Sequence, residues 1–252
     1  MSIIRSSQIV TNGLVLALDA GDTNSYPNSG TSWNDLSGNN AHFTLGCAGA
    51  SCTNPVFSNN AFKTSFTANI DNFASFNNAT TAIKNLLYSD HTIEIACKIN
   101  SFTTGYNLNP LYTTEVQNVL IVWQGYHSGL TLYSGGYIGY TIWNGTSGTV
   151  GIYAPQIPTL GANIVIHAVR ISNTLYMYIN GILVASGAIA APTNYGYSNV
   201  VIGATTTSYF VSQNAFVWAS NIDFYTTKLY TVGFTQSQVT QNFNAMRGRL
   251  AI

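Results

Sequence analysis

Charged side chains are scarce: they make up 6% of 252 residues, with eight Lys+Arg against eight Asp+Glu. A chain of zero formal net charge with no basic cluster lacks the means to displace counterions from a phosphate backbone, which argues against a nucleic-acid partner. It also has no electrostatic reason to sit on an anionic membrane. Apolar runs are short. Val119–Trp123 is typical, and nothing approaches the ~20 residues of a membrane helix. The opening segment, Met1 to Gly13, lacks the apolar run of a secretory signal, so no signal peptide is expected. Cysteine is limited to three residues. Cys47 and Cys52 are close enough for a local bridge, Cys97 reads as a buried free thiol, and a metal set from these alone is not expected. Glutamate occurs twice, at Glu94 and Glu115.

Uncharged polar residues fill the space that charge leaves. There are 28 Asn, 29 Thr and 23 Ser, beside 22 Gly and 16 Tyr. Thr and Tyr suit half-buried strands, while Asn, Ser and Gly suit turns, so the composition points to an all-β chain. With 46% hydrophobic and 13% aromatic residues the chain has ample core material and is not a disordered segment. No linker or composition shift divides it. The expectation is an N-terminal arm over residues 1–12 and one domain over residues 13–252. A neutral surface favours association, so assembly with other proteins or with like copies is expected.

Alternation is clearest in His91–Asn100, where Ile93, Ile95, Cys97 and Ile99 point one way and Thr92, Glu94, Ala96 and Lys98 the other. Further strands are expected at Gly13–Ala20, Val119–Trp123, Leu130–Tyr133, Tyr137–Trp143, Thr149–Tyr153, Ile164–Ile171, Leu175–Ile179, Ile182–Ala185, Val200–Gly203, Ala215–Trp218 and Asn221–Tyr225. Asn180-Gly181 supplies a type I′ hairpin turn. Short strands at this spacing predict a two-sheet antiparallel β-sandwich. One helix is predicted over 236–247: Thr235 and Gln238 form a capping box, Val239, Phe243 and Met246 an apolar stripe, and Gly248 the stop.

Three stretches, Trp33–His42 (WNDLSGNNAH), Val165–Gly187 with its Tyr-x-Asn-Gly hairpin, and Ile222–Arg249, resemble the laminin-G-like, concanavalin A-like jelly roll. Gly13–Asn39, with GLVLALDA ahead of SYPNSGTSW, is similar to the opening of laminin-G-like proteins of tailed bacteriophages. That resemblance implies a virion structural protein, decorating the capsid or presented on another surface, whose role is to bind glycans or to stabilise the shell. It would be assembled in the host cytoplasm and exposed outside the cell, with other virion proteins and cell-surface glycans as partners. A free carbohydrate-binding module is the alternative, and a glycan-degrading enzyme a weaker one.

Catalysis finds little support in the residues. The superfamily's retaining glucanases need two carboxyl groups about 5–5.5 Å apart, which on one strand face means acidic residues at alternate positions. Glu94 has Thr92 and Ala96 two positions away and Lys98 four away, so it reads as a polar same-face partner of Lys98. His42, His91, His127 and His167 lack a nucleophile motif, and His167 reads as a packed or rim residue. No phosphate loop occurs. The expectation is a non-enzyme.

The resemblance implies a structural calcium between the first loop and the closing strand. Asp35 and Asp223 occupy the matching positions, with Asn40 and the Gly38 carbonyl nearby and Asp19 and Asp22 as weaker donors. The plainer reading of Asp35 is an Asx turn. For sugars, which stack on aromatic faces, the candidates are the loop residues Tyr195 and Tyr197 and the meander residues Tyr137, Tyr140 and Trp143, flanked by Tyr133 and Tyr153. Parity sets Tyr137 and Tyr140 on opposite faces unless a bulge intervenes near Gly139. Strand aromatics otherwise belong to the core.

Overall fold

The computed structural model describes residues 8–46, 52–64, 66–67, 70–72, 74–76, 80–101, 117–123, 128–133, 136–143, 149–154, 159–191, 199–203, 205–206, 216–217 and 221–252. Cys47, Glu115, His127, Tyr195 and Tyr197 lie outside them. The first nine strands are β1 (Leu14–Asp19), β2 (Ser32–Trp33), β3 (Phe43–Leu45), β4 (Cys52–Thr53), β5 (Val56–Ser58), β6 (Ala61–Thr64), β7 (Phe66–Thr67), β8 (Ile70–Asn72) and β9 (Ala74–Phe76). A one-turn helix α1 (Thr81–Lys84) and a 3₁₀ turn (Leu86–Tyr88) follow. Then come β10 (His91–Ser101), β11 (Gln117–Trp123), β12 (Ser128–Tyr133), β13 (Ile138–Trp143) and β14 (Thr149–Tyr153). The last strands are β15 (Asn163–Ile171), β16 (Thr174–Ile179), β17 (Ile182–Ala188), β18 (Val200–Ile202), β19 (Thr205–Thr206), β20 (Phe216–Val217) and β21 (Asn221–Tyr230), ahead of helix α2 (Gln236–Leu250).

Two eight-stranded antiparallel sheets form the sandwich. Sheet A runs β17-β16-β15-β10-β21-β6-β5, with β1 also on β21, and sheet B runs β14-β13-β12-β11-β18-β9-β3-β2. The core lies between them and draws Ile93, Ile95, Cys97 and Ile99 from β10 and Leu130, Leu132, Ile138, Tyr140 and Ile142 from β12 and β13. Period-two alternation therefore assigned the inward face of β10 correctly.

The Asn180-Gly181 turn is as expected, with φ of 52° and 79° at the two residues. The Asn180 side chain also accepts a hydrogen bond from Val165 N at 2.9 Å, fixing the turn to the neighbouring strand. Gly181 has a second reason to be glycine: a Cβ there would stand 3.1 Å from the Phe243 ring of α2.

Two expectations need correction. The closing strand does not stop at Tyr225 but runs on to Tyr230. The register shifts between the Cys97↔Phe224 and Ala96↔Thr226 pairs, leaving Tyr225 as an extra residue. A bulge exchanges the two faces of a strand, so Ile222, Phe224 and Leu229 all reach the core despite their mixed parity. The helix does not stop at Gly248. It continues to Leu250, which packs with Met246 on Ala96 and Val165, and it ends at Ala251 in the left-handed conformation with φ 55°. The Thr235–Gln238 capping box is present. The stripe that α2 buries is Val239, Asn242, Met246 and Leu250, and Phe243 is only half-buried at its side.

Candidate functional site

Three places could carry function: the first loop, the sheet face beneath α2, and the outer face of sheet B. In the first loop, Asp35 is 8% exposed. Its Oδ1 accepts hydrogen bonds from Ala17 N at 2.8 Å and Ser37 N at 2.9 Å. Its Oδ2 accepts from Ser37 Oγ at 2.7 Å and Ala41 N at 3.1 Å. These four bonds occupy the carboxylate. Gly38 and Asn40 are exposed, with φ of 89° and 56°, and they turn the chain so that Ala41 N faces Asp35.

Asp223 is engaged elsewhere. Its carboxylate lies 3.0 Å from Lys98 Nζ and 2.9 Å from Asn100 Nδ2. The strand residue that Asp35 holds, Ala17, pairs with Lys228. That is five positions along β21 from Asp223, or roughly 17 Å at ~3.3 Å per residue. Asp35, Gly38, Asn40 and Asp223 therefore do not converge, and the set does not fit a calcium ion. The weaker donors are spent as well: Asp19 forms a two-point ion pair with Arg249 at 2.5 and 2.6 Å, and Asp22 caps its own turn through Asn24 N at 2.8 Å. Among the described residues, no three His, Cys, Asp or Glu side chains gather as a metal set would.

Beneath α2 lies a buried polar cluster. Glu94 is fully buried, and its Oε1 meets Lys228 Nζ at 2.6 Å. Its Oε2 accepts from Asn242 Nδ2 at 2.6 Å and from His167 Nε2 at 3.1 Å. Asn242 also donates to the Tyr230 hydroxyl at 3.0 Å and accepts from Val10 N at 2.7 Å. Burial alone would push the Glu94 carboxyl up, but the Lys228 ammonium and then His167 overcome it and hold the group well below the usual carboxylate range. The partner of Glu94 is thus Lys228 and not Lys98, because β10 and β21 are neighbours with Glu94 directly opposite Lys228. His167 is packed and fully buried. Lys228 and Asn242 were not anticipated; the signals available were a lone lysine in an otherwise uncharged strand end and an asparagine on the helix stripe. The cluster is covered by α2 and ties the helix and Val10 of the arm to the sheet, while Gln241 of the helix separately donates to Gln8 O at 2.8 Å.

The outer face of sheet B carries aromatic rings. Tyr133 and Tyr137 stack with centroids 5.0 Å apart and planes 10° apart. Tyr153 stands edge-on to both, at 5.3 and 5.5 Å. Gly139 is the floor: a Cβ there would come within 2.4 Å of the Tyr133 ring and 3.1 Å of Tyr153. Tyr133 is 4% exposed and Tyr153 46% exposed, so the group forms a fixed ledge with one ring open to solvent. Trp143 is half-buried at the end of β13, four residues beyond Gly139 and on the same face.

Tyr140, expected among the sugar-binding residues, does not face a ligand. It is fully buried between the sheets, where its hydroxyl bonds His91 Nε2. Parity decided this, since no bulge interrupts the β12–β13 or β13–β14 pairing. His91 Nδ1 in turn faces Ser89 O at 2.7 Å, and burial lowers the imidazole pKa to about 4.

No protein-family pattern matches the chain, and no curated protein matches it by sequence. Its fold is similar to that of the binding domain of botulinum neurotoxin DC, solved in complex with rat synaptotagmin II. It is equally similar to a structure from work on botulinum neurotoxin type C, whose cell entry depends upon interaction with two ganglioside molecules. Each superposes with a TM-score of 0.65 at 14% identity over 94% of this chain. A mutant Trypanosoma rangeli sialidase displaying trans-sialidase activity superposes at 0.64, also at 14% identity and over 94% of this chain. The chain spans 52% of the toxin structures and 34% of the sialidase. At this identity the likeness establishes the fold, a jelly-roll-like sandwich of sheets.

Proposed function

We propose that the chain is a non-catalytic glycan-binding domain of a phage virion, with the sugar docked on the Tyr133–Tyr137–Tyr153 ledge. The observation that carries this reading is the open ring of Tyr153, braced edge-on by two stacked tyrosines over a glycine floor. A pyranose presents a C–H face to an aromatic ring and hydroxyls to phenolic oxygens, and a braced ring loses little freedom on binding. The likeness to toxin binding domains supports the same reading. A retaining glycosidase would need a second carboxyl group about 5–5.5 Å from the first, whereas Glu94 is flanked by Lys228, His167 and Asn242 beneath a helix. The virion assignment rests on the resemblance of Gly13–Asn39 to phage laminin-G-like openings, and it puts other virion proteins around the domain.

An immobilised-glycan panel probed with wild type and Tyr153→Ala tests the binding role. The expected result is binding that weakens at least tenfold in the variant with an unchanged melting temperature. No binding to any glycan, or binding indifferent to Tyr153, overturns it. Mass spectrometry of purified particles encoding the chain should find it in them; its absence would leave a binding module without a virion.

A further inference from the structure

We infer that the ledge selects electrically neutral sugars and discriminates against acidic glycans, an inference that rests on the glycan-binding reading of the same ledge. It comes from which strands of the two sheets carry any of the sixteen Asp, Glu, Lys and Arg residues and which do not. The strands of sheet A hold seven of them: Asp19, Lys63, Glu94, Lys98, Arg170, Asp223 and Lys228. The eight strands of sheet B hold none. Between Glu115 and Asp223 the sequence contains one such residue, Arg170, so the connections between β11, β12, β13 and β14 carry no lysine or arginine either.

Arg170 cannot serve the ledge. It is 4% exposed on sheet A, and its guanidinium donates to Leu87 O and Ser172 O, both at 2.8 Å. The other cations with defined partners are committed on the far side of the sandwich, Lys98 to Asp223, Lys228 to Glu94 and Arg249 to Asp19. Recognition of a sugar carboxylate or sulfate relies on charge-assisted bonds, above all the paired donors of arginine. An anion brought against tyrosine rings without such a partner gives up hydration and receives no charge in return. A neutral hexose incurs no such cost. Its C–H face can lie on Tyr153, and its hydroxyls can exchange water for phenolic oxygens.

The test uses matched glycans, such as N-acetyllactosamine and its sialylated and sulfated forms, titrated at pH 7.5 in low and high salt with wild type and Tyr153→Ala. The expected result is at least tenfold tighter binding of the neutral form, changing less than twofold with salt and lost in the variant. Tighter, salt-sensitive binding of an acidic form that still depends on Tyr153 would overturn the neutral preference and leave the glycan-binding reading intact. No Tyr153-dependent binding of any form, or dimerisation of the chain through this face in its place, would overturn both.

Discussion

Removing Lys228 should unfasten the C-terminal helix. In Lys228→Met the chain keeps its shape, since the side chains are similar in length and Met246 already lies beside the ammonium, with its sulfur 3.7 Å from Nζ. What is lost is the positive charge 2.6 Å from a fully buried carboxylate. Breaking one side of a buried pair typically costs about 3–5 kcal/mol, because the remaining charge is left uncompensated. For a chain of this size that corresponds to a fall in melting temperature of roughly 6–20 °C, at about 2–4 °C per kcal/mol. Thermal unfolding measures it, and amide exchange across residues 236–250 should accelerate before the rest of the fold opens. Replacing both partners, as Glu94→Gln with Lys228→Met, should recover much of the loss, since neither charge is then buried alone. The pH dependence has a definite sign. Glu94 titrates below its ordinary value of 4.5 when folded, so its contribution is complete above that value and declines as pH falls toward the lower native one. Lys228→Met costing under 1 kcal/mol, or a double variant as unstable as the sum of the singles, would refute this account of how α2 is held.

Gly181→Val should destabilise by about 1–3 kcal/mol, since it forces a β-branched residue to φ 79° and against Phe243; an unchanged melting temperature would contradict it. His91, lowered from 6.5 to about 4 by burial, stays neutral while the unfolded chain takes up a proton. Between those two values stability should therefore rise with pH, and a ring titration by NMR with a midpoint above 6 would overturn this. Asp35→Ala should cost about 2–3 kcal/mol by orphaning the buried Ala17 and Ala41 amides, while chelation of wild type should leave the melting temperature unmoved. A calcium-restored, chelator-sensitive transition would return Asp35 to the role of ligand.

The sequence alone determined what depends on neighbours along the chain. Alternation in His91–Asn100, positive φ at Asn180-Gly181 and the Thr235–Gln238 cap are local choices, and each matches the structure. So does the opposition of Tyr137 and Tyr140, which period two dictates. The tertiary structure decided whatever depends on pairing across the fold. The bulge at Tyr225 exists only because β10 lies beside β21, and it concealed half of the closing strand together with Lys228. Asp35 carries the same residues in an Asx turn as in a metal loop, and its acceptance of Ala17 N, 18 residues back, made it structural. Asn242 reads as a polar flaw in an apolar stripe until α2 is laid over Glu94, 148 residues away, and then it is the residue that completes the cluster. A buried charge is acceptable only where its partners converge, and convergence over such separations is a property of the packed sheets.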